Sequence, residues 1–402
     1  MSAVEVWLDP DIRVGTLFSH RGRSAESCTF TYSAEYLAHP EAYPLDPSLP
    51  LDAHPFHSVR PLFGAMADSS PDRWGRTLVQ RTLAEEARAA GGAPRQPSEL
   101  DFLLGVRDDL RQGALRYRLP QDDPGSFRAA AQDGVPVLAD LGDLLVAADR
   151  VGADEAGLAE LRRLVGAGSS LGGARPKAHV RLPGGAIGLA KFPAAAVDDW
   201  NVMAWEHVAL GLAERAGIRV PPNRLVPVSG RDVLVVERFD RRSEQRVGYV
   251  SAMTMLELAD GDRGSYLDIA EVVEEASPCA TADLEELWRR IVLGALISNR
   301  DDHLRNHGFL REPSGWRLSP AFDLNPVPMA GDFATDVESP GEADRLDAAL
   351  RHAEFFRLTD TRAGEVLAEV REAVSWWRDL ARAAGLCEGE IRRMEPAFDD
   401  AA

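Results

Sequence analysis

The run Asn299-Arg300-Asp301-Asp302-His303-Leu304-Arg305-Asn306 crowds ionisable and amide side chains directly after a strongly apolar stretch, Leu287 to Ile297. In a phosphoryl-transfer loop, an Asp accepts the proton of the attacking hydroxyl and an Asn five positions later ligates Mg²⁺, with an Arg just before the Asp. Asp301 and Asn306 stand at that spacing and Arg300 precedes Asp301; Asn299 occupies the place where a His is usual. The spacing matters because one turn of loop must present both groups to a single phosphate. The same stretch admits a second chemistry, since Asp301, Asp302, His303 and His307 are residue types that hold a hydrolytic metal.

Four further features lie in an order that favours the first chemistry. Phe322-Asp323, 17 residues beyond Asn306, stands where a second Mg²⁺ carboxylate is expected, although a plain Asx turn before Pro326 would also explain it. Ser169-Ser170-Leu171-Gly172-Gly173-Ala174-Arg175-Pro176-Lys177 is a glycine-rich turn whose backbone N–H groups can approach phosphate oxygens. It has neither the P-loop nor the dinucleotide spacing, and a simple hairpin accounts for it equally well. Lys191 ends the apolar run Ile187-Gly188-Leu189-Ala190, where its charge needs a partner: a nucleotide phosphate, with Glu206 on the following helix as the ion-pair candidate. A lysine that snorkels from an exposed edge is the alternative. Val233 to Glu237 is a buried strand leaving into Arg238-Phe239-Asp240-Arg241, as a hinge that reads an adenine edge would, or as an edge strand ending in ion pairs.

The elements that must position these groups read as follows. Val4–Leu8, Val14–Phe18, Thr29–Tyr32 and Ala114–Tyr117 are strand-like, and residues 40–55 are irregular. Ser70-Pro71-Asp72 opens a helix with Pro in its first turn. Two amphipathic helices occupy 137–165 and end at Gly166-Ala167-Gly168. Lys177–Leu182 and Gly188–Phe192 are strands, and Trp200–Ala216 is a helix closed by Gly217. From Tyr266 onward the chain reads mostly helical, interrupted at 299–308 and 319–342. The expected fold class is α+β, with residues 1–122 as a β-rich N-terminal subdomain, 123–240 as a lobe carrying the glycine-rich loop, and 241–402 as a helical lobe carrying the catalytic loop.

Composition narrows the classes. The 402 residues are 45% hydrophobic and 27% charged, as in a folded protein. The net charge of −19 disfavours direct binding to a phosphate backbone. Three cysteines, Cys28, Cys279 and Cys387, are too far apart for a zinc motif and too few for a disulfide framework, which suits a reducing compartment. No apolar run reaches the roughly 20 residues that span a bilayer, so the expected location is the cytoplasm, without a membrane partner.

The chain resembles the HipA family of bacterial serine/threonine kinases, the toxins of toxin–antitoxin pairs. The likeness rests on Ser170 to Lys177, Glu237-Arg238-Phe239-Asp240-Arg241, Asp301 to His307, Phe322-Asp323, and the turn Gly105-Val106-Arg107-Asp108-Asp109-Leu110-Arg111-Gln112-Gly113-Ala114-Leu115. It runs from about Pro61 to Asp323 and is looser at both ends. The resemblance implies a bilobal, kinase-like fold using ATP and Mg²⁺, with Asp301 as catalytic base and Asn306 and Asp323 as metal ligands. It also implies ATP contacts from Gly172, Gly173, Ala174, Arg175, Pro176, Lys177, Lys191, Glu237, Phe239 and His303. Ser170, or its neighbour Ser169, would be an autophosphorylation site whose dianion competes with ATP phosphates. The implied substrate is a translation-related protein such as glutamyl-tRNA synthetase. The implied partner is a small helix-turn-helix, HipB-like antitoxin through which the chain meets DNA indirectly. The sequence departs from the family at Asp302, where glycine is common, and along Gly248 to Met255. The alternatives are a non-catalytic pseudokinase that serves a repressor, or a small-molecule kinase of similar architecture.

Overall fold

Alternating burial builds the first sheet. In β1 (Ser2–Leu8) Val4, Val6 and Leu8 are buried, and in β3 (Glu26–Tyr32) Cys28, Phe30 and Tyr32 are buried, the period of two expected of a one-sided sheet. The computed structural model describes residues 2–22, 25–127, 134–168, 173, 175–194, 197–243, 245–338 and 344–401. With β2 (Ile12–Arg21), β4 (Phe56–Ser58) and β5 (Leu115–Arg118), these strands form an antiparallel sheet in the order β4-β3-β2-β1-β5. The chain divides into two units, Met1–Ala196 with Asp240–Val250, and Val197–Phe239 with Ser251–Ala402.

In the first unit, α1 (Ala34–Leu37) and α2 (Gly64–Asp68) precede α3 (Arg73–Ala89). The sequence puts Pro71 inside α3, but the structure starts the helix two residues later. Asp72 is the N-cap, its side chain accepting from Gly75 N at 3.0 Å, because a carboxylate satisfies a free helix N–H that proline cannot. Trp74, Leu78, Val79 and Thr82 bury one face of α3. After α4 (Glu99–Gly105) come the two expected amphipathic helices, α5 (Leu141–Gly152) and α6 (Leu158–Gly166), the latter packing on α3. The hairpin of β6 (Lys177–Arg181) and β7 (Ile187–Lys191) follows. The short ribbon β10 (Arg241–Arg242) and β11 (Gln245–Arg246) returns to this unit.

Two stretches quoted for the family likeness meet here. Asp240 Oδ2 accepts from Gly113 N at 2.8 Å, and Arg241 Nη2 donates to Arg111 O at 2.7 Å. Arg111 is fully buried and donates to the carbonyls of Ser69, Leu103 and Val106, while burial pulls its basicity down to about 10. Asp240 and Arg241 therefore brace the 105–115 turn.

The second unit contains α7 (Val202–Arg215) packed on the hairpin of β8 (Asn223–Val228) and β9 (Arg231–Glu237). Its centre is α10 (Ala280–Leu296), which is buried from Leu284 to Leu296 apart from Glu285 and is ringed by α9 (Tyr266–Ala276), α11 (Arg345–Arg351) and α12 (Asp360–Ser375). Burying Leu287, Trp288, Ile291 and Leu293 completely contributes about 1.5–3 kcal/mol per side chain. β12 (Tyr249–Ser251), α8 (Ala252–Met255), α13 (Trp377–Ala383) and α14 (Glu388–Met394) complete the regular elements. One expectation fails: 308–318 is not helical but the antiparallel hairpin of β13 (Gly308–Glu312) and β14 (Gly315–Leu318). Pro313 and Ser314 make the turn, and pairing buried Phe309 with buried Leu318 outweighs local helix propensity. The α+β class holds, with a β-rich N-terminal region and a mainly helical C-terminal part. No helix among the described residues is long and apolar enough to cross a membrane.

The cysteines supply a direct check. Burial pushes the Cys28 thiol up to about 12, whereas Cys279 and Cys387 are exposed. Iodoacetamide at pH 8 is expected to alkylate Cys279 and Cys387 in the native chain and Cys28 only after denaturation. Mass spectrometry showing native labelling of Cys28 would contradict the packing of β3.

Candidate functional site

The loop after α10 is shaped by hydrogen bonds that the spacing of its residues permits. Asn299 N donates to Gly294 O at 2.8 Å, and Ser298 takes φ +49° to turn the chain out of the helix. Asn306 N donates to His303 O at 2.8 Å, and Asn306 Nδ2 donates to Asp301 O at 2.9 Å. The Asp301–Asn306 spacing thus closes a short turn, with Asp301 exposed and Asn306 buried. Because the amide is engaged through its nitrogen, Oδ1 is the atom oriented as an acceptor, which suits a hard cation such as Mg²⁺.

The segment carrying Asp323 is fixed from the other side. Arg219 Nη2 donates to Leu318 O at 2.9 Å, Ser319 N to Gly308 O at 2.8 Å and Ala321 N to Arg219 O at 2.7 Å. Arg219 is itself paired with the buried Asp283 at 3.0 Å and with Glu286 at 2.5 Å. Asp323 takes φ +55°, a left-handed conformation that costs an L-residue about 1–2 kcal/mol and persists only where its surroundings impose it. Asn299 Oδ1 accepts from Asn325 N at 3.1 Å and so ties the Asp323 segment to the Asp301 loop. The Asn that departs from the kinase pattern is therefore a structural link. The Phe239 and Phe322 rings lie 5.6 Å apart, so the end of the β9 strand reaches the residue before Asp323. Glu237 N is held by Pro222 O at 2.8 Å.

Behind the loop sits a buried charge cluster that spacing did not reveal. Asp302 is 4% exposed, lies 3.1 Å from Arg345 Nη2, and accepts from the Tyr266 hydroxyl. His307 Nε2 is 3.0 Å from Asp302 Oδ1, at an angle that is not that of a hydrogen bond. Burial pushes the Asp302 carboxyl up, but His307, Arg345 and Tyr266 outweigh it and hold the group well below the usual carboxylate range. Burial pushes the Tyr266 phenol well up, so it remains the donor. Arg345 also donates to Thr335 O at 3.0 Å. Asp302 is thus committed to Arg345 and Tyr266, and the four-residue metal reading of this stretch does not assemble. Among the described residues no three His, Cys, Asp or Glu side chains converge as a metal cluster.

In the first unit, Lys177 and Lys191 are register partners across β6 and β7, so their side chains share one face of the hairpin. They are 2% and 8% exposed. Lys177 Nζ pairs with Asp72 Oδ2 at 2.8 Å. Phe192 N donates to Pro176 O at 2.9 Å, continuing the ladder into the described end of the glycine-rich turn. Gly173 there takes φ +104°. Ser169, Ser170, Gly172 and Ala174 lie outside the described residues. Glu206 is on α7, 2% exposed, and His303 is half-buried in the Asp301 loop.

A groove of about 820 Å³ lies elsewhere in the helical unit, beside Gly217, Thr281, Arg289 and Trp376. It contains none of the candidate catalytic, metal or nucleotide-binding residues, and Arg289 is paired there with Glu285 at 2.9 Å and Glu369 at 2.6 Å.

Comparison with known proteins bears on the family and the fold. Residues 169–377 match the HipA-like C-terminal domain, and residues 4–118 match the HipA N-terminal domain, which reaches further toward the start than the motif likeness did. The protein named "Putative kinase Y4mE" of Sinorhizobium fredii is 26% identical over 333 residues, 73% of this chain and 71% of its own length. A Haemophilus influenzae protein also named as a kinase is 29% identical over 135 residues, 30% of this chain and 39% of its own length. The HipA chain solved from Shewanella oneidensis MR-1 in complex with HipB and operator DNA superposes with a TM-score of 0.62 at 16% identity, covering 99% of this chain and 95% of that one.

Proposed function

The chain belongs to the HipA family and is a HipA-like kinase, and from that premise we propose that it is a Mg²⁺- and ATP-dependent serine/threonine protein kinase of a toxin–antitoxin pair. The observation that carries this reading is the loop in which Asn306 bonds Asp301 O and Asn299 ties the loop to the strained Asp323 segment. Asp301 takes the proton of a substrate hydroxyl as its oxygen bonds the γ-phosphorus and the bond to the departing ADP oxygen breaks. Asn306 and Asp323 hold Mg²⁺, which offsets the charge on the transferring group. Lys191 and Gly172 to Lys177 bind phosphates, while Glu237, Phe239 and His303 hold the rest of ATP. Ser170 is the autophosphorylated serine.

The substrate is a translation-related protein, glutamyl-tRNA synthetase being the first to test, and the setting is cytoplasmic. A helix-turn-helix antitoxin brings the chain to DNA. The net charge of −19 favours contact through such a partner, and the Shewanella protein was solved with HipB and operator DNA.

Phosphopeptide mass spectrometry of purified protein and induced lysate, with Asp323→Asn alongside, tests the reading. Phosphate on Ser170 or Ser169 and on a translation protein is expected in the wild type alone. Equal phosphorylation by both proteins, or transfer to small molecules without serine labelling, would sink it.

A further inference from the structure

Both ends of the glycine-rich turn are gripped by side chains from the N-terminal part of the same unit. On the leading side, α6 ends at Gly166, whose carbonyl has no partner further along the helix. Arg107, 6% exposed, donates to Gly166 O at 2.7 Å while a bidentate pair with Asp109, at 2.6 and 2.9 Å, fixes its guanidinium. Two residues on, Gly168 takes φ +70°, and its carbonyl lies 2.9 Å from Nδ1 of the fully buried His179. A Cβ at Gly168 would sit 2.6 Å from Leu110 Cδ1 and 2.8 Å from His179 Nδ1, so only glycine fits against these groups.

On the trailing side, Trp74 Nε1 donates to Lys177 O at 3.2 Å, and Asp72 pairs with the Lys177 ammonium. Asp72 also has a reason to be acidic beyond capping α3. Lys177 and Lys191 are buried on one face of a two-stranded ladder, where two like charges are costly without an anion beside them.

We propose that Arg107, Trp74 and Asp72 are positioning residues that clamp the two ends of the phosphate turn, so that the N-terminal subdomain sets the affinity for ATP. This rests on the assignment of Gly172 to Lys177 as phosphate-binding. The physical basis is entropic. Closing a loop on a ligand costs less entropy when its two ends are already held at a fixed separation. The clamp touches no reacting atom, so its effect falls on nucleotide binding and not on the transfer step.

The test uses the full chain with Arg107→Ala, Trp74→Phe and the double variant. Asp109 is 51% exposed, so Arg107→Ala leaves no buried unpaired charge. Trp74→Phe keeps an aromatic ring but removes the N–H donor together with part of the buried indole. Each single variant is expected to raise the KM for ATP about 3- to 10-fold, the range of one lost hydrogen bond, with kcat within about 2-fold. The double variant raises it about 10-fold or more. In the same proteins without nucleotide, amide exchange across 166–177 is expected to accelerate while the β1–β5 sheet stays protected. Unchanged exchange across 166–177, or a fall in kcat at constant KM, would overturn the clamp. A wild type that neither binds nor hydrolyses Mg-ATP would instead remove the kinase reading, and the exchange result would still decide whether these residues hold the turn.

Discussion

Asp301→Asn is expected to lower phosphate transfer about 10²- to 10⁴-fold while leaving the melting temperature within about 1 °C of wild type. The first number is the usual contribution of a positioned general base. The second follows from where the side chain lies. Asp301 is exposed, and the hydrogen bond that shapes its loop is made by its backbone carbonyl, which the substitution keeps. Asn is nearly isosteric, so the geometry around Asn306 persists and only the proton acceptor is lost. Transfer of γ-phosphate to the protein's own serines, followed alongside a thermal melt, reads both quantities. Equal labelling by wild type and variant would remove Asp301 from the chemistry.

The adjacent residue is expected to behave in the opposite way. Asp302→Ala leaves Arg345 buried without its counter-charge, and breaking a buried pair by removing one partner costs about 3–5 kcal/mol. At about 2–4 °C per kcal/mol for a unit of this size, the melting temperature falls by roughly 6–20 °C. Asp302→Asn, which keeps an acceptor for Tyr266, is expected to lose less.

The stabilisation also has a pH signature. The folded-state pKa of Asp302 is depressed below its unfolded value, so the carboxylate contributes fully above the unfolded value of about 3.9. That contribution is lost as pH falls through the lower, folded-state value. The gap in melting temperature between wild type and Asp302→Asn is therefore expected to stay constant from pH 7 to about pH 5 and to shrink below about pH 4. A gap that widens on acidification would show that Asp302 is not held as the anion by Arg345, His307 and Tyr266.

The contrast between these neighbours shows how much of the site the sequence carries. The Asp301–Asn306 spacing was legible because a turn closed by Asn306 on Asp301 O is a local feature, which survives without coordinates; the roles of Asp301, Asn306 and Asp323 in transfer are the proposal made above. Lys177 and Lys191 were legible as separate strand lysines, but their shared face is a matter of hairpin register. Helices with clear periodicity, such as α7 and α10, were read correctly. The 308–318 hairpin was not, because pairing Phe309 with Leu318 is a tertiary gain with no local period. Asn299, read as a departure from the kinase pattern, gained its meaning only when Asn325 N was found on its side chain.

The sequence by itself determined the α+β class and the family, and it supplied the candidates proposed here for phosphoryl transfer. These depend on residue type, local period and short spacing, which are properties of a line. Only the tertiary structure decided that Asp302 belongs to a buried ion cluster with Tyr266, His307 and Arg345. The same holds for Arg107, Trp74 and Asp72 at the ends of the glycine-rich turn. Apart from Asp302 with His307, those contacts join residues 36 to 105 positions apart, with energies set by burial and charge pairing that appear once the chain has folded.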